Sequence, residues 1–229
     1  MTKTIVVGGY GVGISRAVAE KFGREGFAVA LVGRRAQNVQ AGAAELERAG
    51  IRARGFSADL SDPGALAALI AQVRSALGPI TVLHWNAYSH GAGDLLTSEP
   101  DALRHVFDVS VTSLVAAVQA VLPDLREAQN PAVLVTGGAL STYSPAADAR
   151  ATQLGAMGLA VAKAAQHKAV GVLHAKLKPL GIYVGEVTVS AIVKGTAADR
   201  GQGTLEAAAV AERFWALYSA RTEVSAVIS

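Results

Sequence analysis

Short apolar runs alternate with longer helical patterns along this chain. Apolar runs typical of strands cover residues 4–7, 28–32, 52–57, 81–85, 132–136, 181–189 and 224–228. Between them, patterns typical of amphipathic or buried helices cover residues 15–26, 36–49, 63–77, 101–125 (one or two helices), 153–178 and 204–220. This alternation predicts an α/β fold with a doubly wound parallel sheet and helices on both faces.

Length and composition bound the function. At 229 residues, with no linker-like stretch, the chain is expected to form one domain over residues 1–229. The net charge of +3 is small and the basic residues are scattered, so no nucleic-acid partner is expected. Cysteine is absent, which excludes disulfides and thiol catalysis, and the five histidines show no metal-ligand spacing, so no metal is expected.

The N-terminus is expected to enter a strand directly, with no leader sequence. No apolar run is expected to reach the length that spans a bilayer, so no membrane partner is expected. Together with the lack of cysteine, these features favour a soluble cytoplasmic protein.

A cluster of glycines follows the first predicted strand. Gly8, Gly9, Gly11 and Gly13 precede a helical pattern in which Ser15 lies near the start. Glycines at such a turn let the backbone approach a pyrophosphate, while the helix directs its N-terminal N–H groups at the phosphates. Gly9, Gly11 and Gly13 are therefore candidate cofactor-binding residues of a Rossmann-like βαβ unit.

The second predicted strand ends in Gly33-Arg34-Arg35. Enzymes that use NAD place a carboxylate about twenty residues beyond the glycines, whereas an arginine there suits the additional phosphate of NADP. Arg34 and Arg35 therefore favour NADP(H) over NAD(H). The alternative is a glycine-rich turn followed by two solvated arginines.

Two further motifs follow the third and fourth predicted strands: Ala58-Asp59-Leu60 and Trp85-Asn86-Ala87-Tyr88. With the glycine cluster, their order resembles the short-chain dehydrogenase/reductase family over essentially the whole chain. The resemblance implies that Ser15, another candidate cofactor-binding residue, stands where the family has the third glycine of its turn. It also implies that Asp59 bonds the adenine amino group and that Asn86 lies near the cofactor ribose, crowded by the two aromatics. The other interpretation of Asp59 is a helix N-terminal cap.

Catalysis in this family uses a Tyr, a Lys, a Ser and an Asn as a proton relay beside hydride transfer. The resemblance places the lysine at Lys163. It places Leu159 at the tyrosine position, Gly137 or Gly138 at the serine position, and Ser110 at the asparagine position. Three of the four catalytic positions thus differ in chemical type from the family pattern.

Two residues are candidates for altered chemistry. Three roles are open for Lys163. It binds the nicotinamide ribose, it transfers a proton itself, or it is a relic that fills a pocket near the carboxyl edge of the sheet. Tyr143, in the segment 139–152 that is expected to be a long loop, is either a displaced acid or a half-buried aromatic packed under Pro145. Lys163, Tyr143 and Ser110 are the candidate catalytic residues.

These residues favour an atypical NADP(H)-dependent oxidoreductase acting on a small carbonyl or enone. The alternative is a non-redox or catalytically degenerate descendant: a cofactor-binding sensor, a scaffold, or a cyclase or dehydratase. Segment 193–203 is expected to be flexible and to contact the substrate. Family resemblance and the alanine-rich long helices favour a homodimer or homotetramer.

Overall fold

The computed structural model describes residues 3–229 and contains one parallel sheet of seven strands. The strands are β1 (Lys3–Gly8), β2 (Phe27–Gly33), β3 (Ala53–Ser57), β4 (Ile80–Trp85), β5 (Ala132–Gly138), β6 (Tyr183–Val189) and β7 (Ser225–Ile228). Their spatial order is β3-β2-β1-β4-β5-β6-β7. The order reverses between β1 and β4, which is where open α/β sheets form a ligand crevice.

Helices cover both faces of this sheet. They are α1 (Ile14–Arg24), α2 (Ala36–Arg48), α3 (Leu66–Leu77), α4 (Pro100–Phe107), α5 (Ser113–Glu127), α6 (Pro145–Gln153), α7 (Met157–Leu177) and α8 (Ala207–Ala220). Helices α1, α2 and α8 contribute to one apolar core, and α3, α5 and α7 contribute to the other. The predicted doubly wound, Rossmann-like fold is confirmed.

The strand sequences explain why both faces are covered. Every residue of β2 is buried. Val29 and Leu31 face one core, whereas Ala30 and Val32 face the other. A strand buried on both faces is a continuous apolar run rather than an alternating one, as parallel sheets require.

The helix predicted over residues 153–178 is interrupted. Helix α6 ends at Gln153, α7 begins at Met157, and Gly155 between them has a φ of +59°. The segment 139–152, expected to be a loop, contains most of α6. Ser144 caps α6 by accepting the Ala147 N–H at 3.2 Å, and Pro145 occupies its first turn. This serine–proline start signal was present in the sequence.

The region predicted as one or two helices over residues 101–125 is one continuous helical segment, Pro100–Glu127, with a π-helical turn at Asp108–Thr112. It has 28 residues, and its most apolar window of 18 residues has a mean hydropathy of 1.7, enough by length and composition to cross a membrane. The expectation that no run reaches that length is therefore wrong. Here α5 packs against β4 and α3, so its apolar side belongs to the core of the fold.

Candidate active site

A cleft of about 870 Å³ lies at the carboxyl ends of the strands. Among the predicted cofactor residues, those that line it are Gly9, Arg34, Arg35, Asp59 and Asn86. They lie just beyond the ends of β1, β2, β3 and β4. The sheet thus brings together residues that are far apart in sequence. Tyr88, His90 and His105 also line this cleft.

The glycine turn at the end of β1 approaches its neighbours closely. Gly9 has a φ of +82°, and a Cβ there would lie 2.5 Å from the backbone nitrogen of Ala87. Gly13 has a φ of +91° and precedes α1, whose N-terminus has no side-chain cap. An uncapped helix N-terminus behind a close turn suits the binding of a phosphate.

Ser15 is buried beneath this turn. Its Oγ accepts the Gly11 N–H at 2.9 Å and donates to the Gly11 carbonyl oxygen at 3.0 Å. Ser15 therefore closes the turn on itself, and it engages one backbone N–H that could otherwise face an anion. Neither Gly11 nor Ser15 lines the cleft.

Arg34 and Asp59 also line the cleft. The Ser57 hydroxyl donates to the Arg34 carbonyl oxygen at 3.0 Å, which fixes the backbone there, while the Arg34 side chain is exposed. Asp59 Oδ1 accepts the Ser61 N–H at 2.9 Å and the Ser61 hydroxyl at 2.8 Å. These bonds, with the charge of Arg34, lower the pKa of Asp59, so it is a carboxylate at neutral pH.

The helix cap in this region is Asp62 rather than Asp59. Asp62 Oδ1 accepts the Gly64 N–H at 2.9 Å, at the start of the short 3₁₀ turn Pro63–Ala65. The interpretation of Asp59 as the helix cap is therefore wrong. Asp59 closes a local turn and remains on the wall of the cleft.

The Trp85-Asn86-Ala87-Tyr88 motif at the end of β4 places its two aromatic side chains in different environments. Trp85 is buried and donates its indole N–H to the Val109 carbonyl oxygen at 3.2 Å, so the expected crowding by two aromatics is wrong for Trp85. Asn86 Nδ2 donates to the Gly9 carbonyl oxygen at 3.3 Å. Tyr88 is 47% exposed and lines the cleft.

Lys163, on α7, is buried beside this motif. Its Nζ donates to the Thr136 carbonyl oxygen and to Gln166 Oε1, both at 2.8 Å, and lies 6.0 Å from the Tyr88 ring centroid. Burial lowers the pKa of Lys163 to about 8, although the charge of Glu186 acts in the opposite direction. Leu159, one turn earlier on the same helix, is half-buried and has no group that exchanges a proton.

Gln166 is a site residue that the sequence reasoning missed. It is fully buried, and its Nε2 donates to the Ser110 carbonyl oxygen at 2.6 Å while its Oε1 accepts from Lys163. The Ser110 hydroxyl is buried with no hydrogen-bond partner among residues 3–229. Lys163 is thus connected to the Ser110 backbone, not to its side chain. The spacing of Lys163 and Gln166, three residues apart on one helix, was the available signal.

Glu186, on β6, was also missed. It is fully buried, its Oε2 contacts His167 Nδ1, and its Oε1 has no partner in the described part of the chain. A side chain at Gly137 would overlap this carboxylate. The glycine at one of the two positions considered for the family serine therefore makes room for an acid.

Tyr143 lies outside the cleft-lining residues. It follows the 3₁₀ turn Ala139–Ser141, and its side chain is 98% exposed. The expectation of half-buried packing under Pro145 is wrong, because the Tyr143 side chain is almost wholly exposed, just before Ser144 caps α6.

The segment 193–203 covers the glycine turn. Its first residue, Val193, forms a β-bridge with Leu205, and Asp199 accepts the N–H groups of Gly201 and Gly203 at 2.9 and 2.8 Å. Thr196 Cγ2 lies only 2.6 Å from where a Cβ of Gly13 would be. The segment that is expected to meet a substrate therefore contacts the turn that is expected to meet a cofactor.

Comparisons with known proteins agree with this geometry. A family model described as short chain dehydrogenase matches residues 3–204. The chain is 31% identical to a short chain dehydrogenase of Pseudocercospora fijiensis over 77% of this chain and 59% of that protein. It is 30% identical to 1-deoxy-11-beta-hydroxypentalenate dehydrogenase of Streptomyces arenae over 88% of this chain and 73% of that protein.

Among solved structures, the chain is similar to a short chain dehydrogenase from Burkholderia cenocepacia in complex with NADP. The TM-score is 0.86 and the sequence identity 26%, covering 99% of this chain and 96% of that one. The chain therefore belongs to the short-chain dehydrogenase family, as the motifs predicted.

Proposed function

We propose that this protein is an NADPH-dependent oxidoreductase that reduces a small, largely apolar carbonyl or enone compound. The observation that carries the proposal is the cleft whose walls combine a close glycine turn, the exposed Arg34, the ionised Asp59 and Asn86. When bound, NADPH would supply the hydride for this reaction.

The described residues fit that cofactor. Gly9 permits close approach at the turn, and the uncapped N-terminus of α1 offers N–H groups to the pyrophosphate. At the end of β2, Arg34 and Arg35 would pair with the ribose phosphate, and no carboxylate occupies these two positions to favour NAD. Asp59 would accept a hydrogen bond from the adenine amino group.

Lys163 would hold the nicotinamide ribose through the donor that remains after its bonds to Thr136 and Gln166. Its charge would also stabilise negative charge that develops on a substrate oxygen. Of the other candidate catalytic residues, Ser110 would act through its backbone carbonyl oxygen, which accepts from Gln166 and so positions Gln166 against Lys163. Tyr143 would have to move from its exposed position to reach the cleft.

A non-redox descendant is the second candidate function. The observations that favour it are Leu159 in the tyrosine position and the two internal bonds of Lys163, which satisfy that lysine without any ligand. Such a protein would bind the cofactor and transfer no hydride.

The test measures NADPH binding by calorimetry and NADPH oxidation with a panel of ketones, aldehydes and enones. We expect binding and a substrate-dependent rate above buffer. Binding without turnover favours the non-redox descendant, and lack of binding overturns both. Gly11→Asp is the matched negative control, and we expect it to weaken NADPH binding. A Cβ at position 11 would meet open space, so the fold should persist, while a carboxylate at this turn repels phosphate.

A further inference from the structure

We propose that the phenol of Tyr88 donates the proton to the substrate oxygen during reduction. This inference rests on the proposed function and identifies the residue that replaces the tyrosine lost at Leu159. It assigns a catalytic role to the last residue of the Trp85-Asn86-Ala87-Tyr88 motif.

The backbone fixes the origin of the Tyr88 side chain. The Asn86 N–H donates to the Gly8 carbonyl oxygen at 2.8 Å, and Gly9 packs against the backbone of Ala87 with no room for a Cβ. Tyr88 follows this clamped pair directly. Its side chain, 47% exposed, therefore enters the cleft from a rigid position at the end of β4.

Two neighbours flank the Tyr88 ring. Lys163 Nζ lies 6.0 Å from the ring centroid, and the His90 ring meets it edge-on with centroids 5.0 Å apart. A positive charge at this distance from the ring favours the negative charge that develops on the phenol oxygen during proton transfer. The fold thus brings the phenol of Tyr88, which lines the cleft, close to the buried ammonium of Lys163, although the two residues come from the end of β4 and from α7.

The other four tyrosines lack this combination. Tyr10 reaches the cleft, but its hydroxyl lies against Gly42 on α2. Tyr143 is 98% exposed outside the cleft. Tyr183 donates to the Glu223 carbonyl oxygen at 2.6 Å, and Tyr218 belongs to an aromatic cluster around α8. Tyr88 is therefore the phenol that stands beside Lys163.

The proposed step is balanced. The substrate carbonyl carbon gains the hydride, its π bond breaks toward oxygen, and that oxygen takes the proton from Tyr88 Oη. The resulting phenolate then takes a proton from water, which its partial exposure allows. The net reaction consumes one reduced cofactor and one proton for each alcohol formed.

The test compares Tyr88→Phe with the wild-type protein on a carbonyl substrate found in the panel. Phenylalanine keeps the ring against Lys163 and removes the hydroxyl alone. We expect kcat to fall roughly 10²- to 10⁴-fold, the usual contribution of a positioned acid, with an unchanged dissociation constant for NADPH. Tyr218→Phe is the matched control, since it deletes a phenol distant from the cleft and is expected to keep full turnover.

Three results would overturn the inference. Full turnover in Tyr88→Phe shows that the proton comes from elsewhere, and a loss in Tyr143→Phe instead assigns the proton to Tyr143. Parallel losses of turnover and NADPH affinity in Tyr88→Phe indicate a cofactor-holding role. If the wild-type protein oxidises no NADPH at all, the proposed function itself fails, a result distinct from all three.

Discussion

The carboxylate of Glu186 on β6 occupies the space that a side chain on Gly137 of β5 would need. The two strands are hydrogen-bonded neighbours, and the acid is fully buried between the sheet and α7. Its Oε2 contacts His167, and its charge acts on Lys163. The residue types at 137 and 186 are therefore coupled: a larger residue at 137 is incompatible with the present position of the acid.

A methyl group at position 137 is expected to destabilise the fold. In Gly137→Ala the new Cβ must displace Glu186, and such overpacking typically costs about 1–3 kcal/mol. Gly138→Ala is the matched control, because a Cβ there has nothing within 4 Å. Urea unfolding of both variants gives the comparison.

The Glu186→Ala substitution adds a second comparison for the same site. If the overlap causes the loss, Gly137→Ala costs less in the Glu186→Ala background than in the wild type. Equal costs in both backgrounds would contradict the proposed coupling.

Arg34 is expected to select between the two nicotinamide cofactors. A charge-assisted bond from arginine to phosphate contributes about 1.5–3 kcal/mol, so Arg34→Ala should weaken NADPH binding roughly ten- to a hundredfold. NADH lacks the phosphate, and its affinity in the same variant is expected to stay constant. Calorimetric titration of both cofactors checks this.

Arg35→Ala distinguishes the two arginines, since Arg35 also lines the cleft. A preference for NADPH that survives in Arg34→Ala but disappears in Arg35→Ala would move the phosphate contact to Arg35. Equal affinities of the wild type for NADPH and NADH would refute both assignments.

The ammonium of Lys163 is expected to contribute to cofactor affinity. Lys163→Met keeps most of the side-chain length and removes the charge. Because two donors are already paired with Thr136 and Gln166, we expect the lower end of a charged hydrogen bond, about 1.5 kcal/mol or roughly tenfold in the NADPH dissociation constant. An unchanged NADPH dissociation constant in a folded Lys163→Met variant would indicate that Lys163 is a relic with no part in cofactor binding.

Burial lowers the pKa of Lys163 from 10.5 to about 8, so both the stability of the fold and its affinity for NADPH are expected to depend on pH. Between these values the unfolded chain holds a proton that the folded chain has released. The free energy of unfolding of the wild type therefore rises with pH in this window relative to Lys163→Met. NADPH affinity falls above about pH 8, as the ammonium is lost.

Glu186→Gln provides the control for this signature. The charge of Glu186 raises the pKa of Lys163, so its removal moves the midpoint of both effects to lower pH. A midpoint that stays in place would show that Glu186 does not act on Lys163.

A tyrosine at position 159 is expected to restore activity to the Tyr88→Phe variant. Leu159 lies one helical turn before Lys163, so Leu159→Tyr supplies a phenol on the same helix face. We expect recovery of roughly tenfold or more in kcat, since a positioned acid is worth at least that much. Leu159→Phe adds a ring without a proton and is expected to give no recovery.

The sequence was sufficient to predict the strands, their parallel direction and the cleft residues Gly9, Arg34, Asp59 and Asn86. Each of these four follows the end of a strand, where local pattern and fold class together fix position. Such residues are predictable because parallel strands deliver their carboxyl ends to one edge.

Glu186 and Gln166 were not predictable in the same way. Glu186 lies inside an apolar strand, and its role depends on the glycine opposite it on β5. Gln166 depends on the π-helical turn that presents the Ser110 carbonyl. Tyr88 was visible in its motif, but its partner Lys163 comes from α7, and only tertiary packing brings the two together.

His84, on the central strand β4, makes the fold sensitive to acid. Its Nε2 shares a hydrogen bond of 3.1 Å with Thr136 Oγ1, and its ring packs on Phe214 with centroids 4.8 Å apart. Burial, aided by the charge of Lys163, lowers the pKa of His84 from 6.5 to about 3. His84 therefore stays neutral in the folded protein throughout mildly acidic conditions.

Because His84 stays neutral in the folded protein, acid lowers the free energy of unfolding. As pH falls from 6.5 toward about 3, the unfolded chain gains a proton on His84 that the folded chain excludes, so folding free energy is lost across that window. Thr136, which bonds His84 through its hydroxyl, also holds Lys163 through its carbonyl. Acid unfolding at β4 and β5 thus releases Lys163 together with the core.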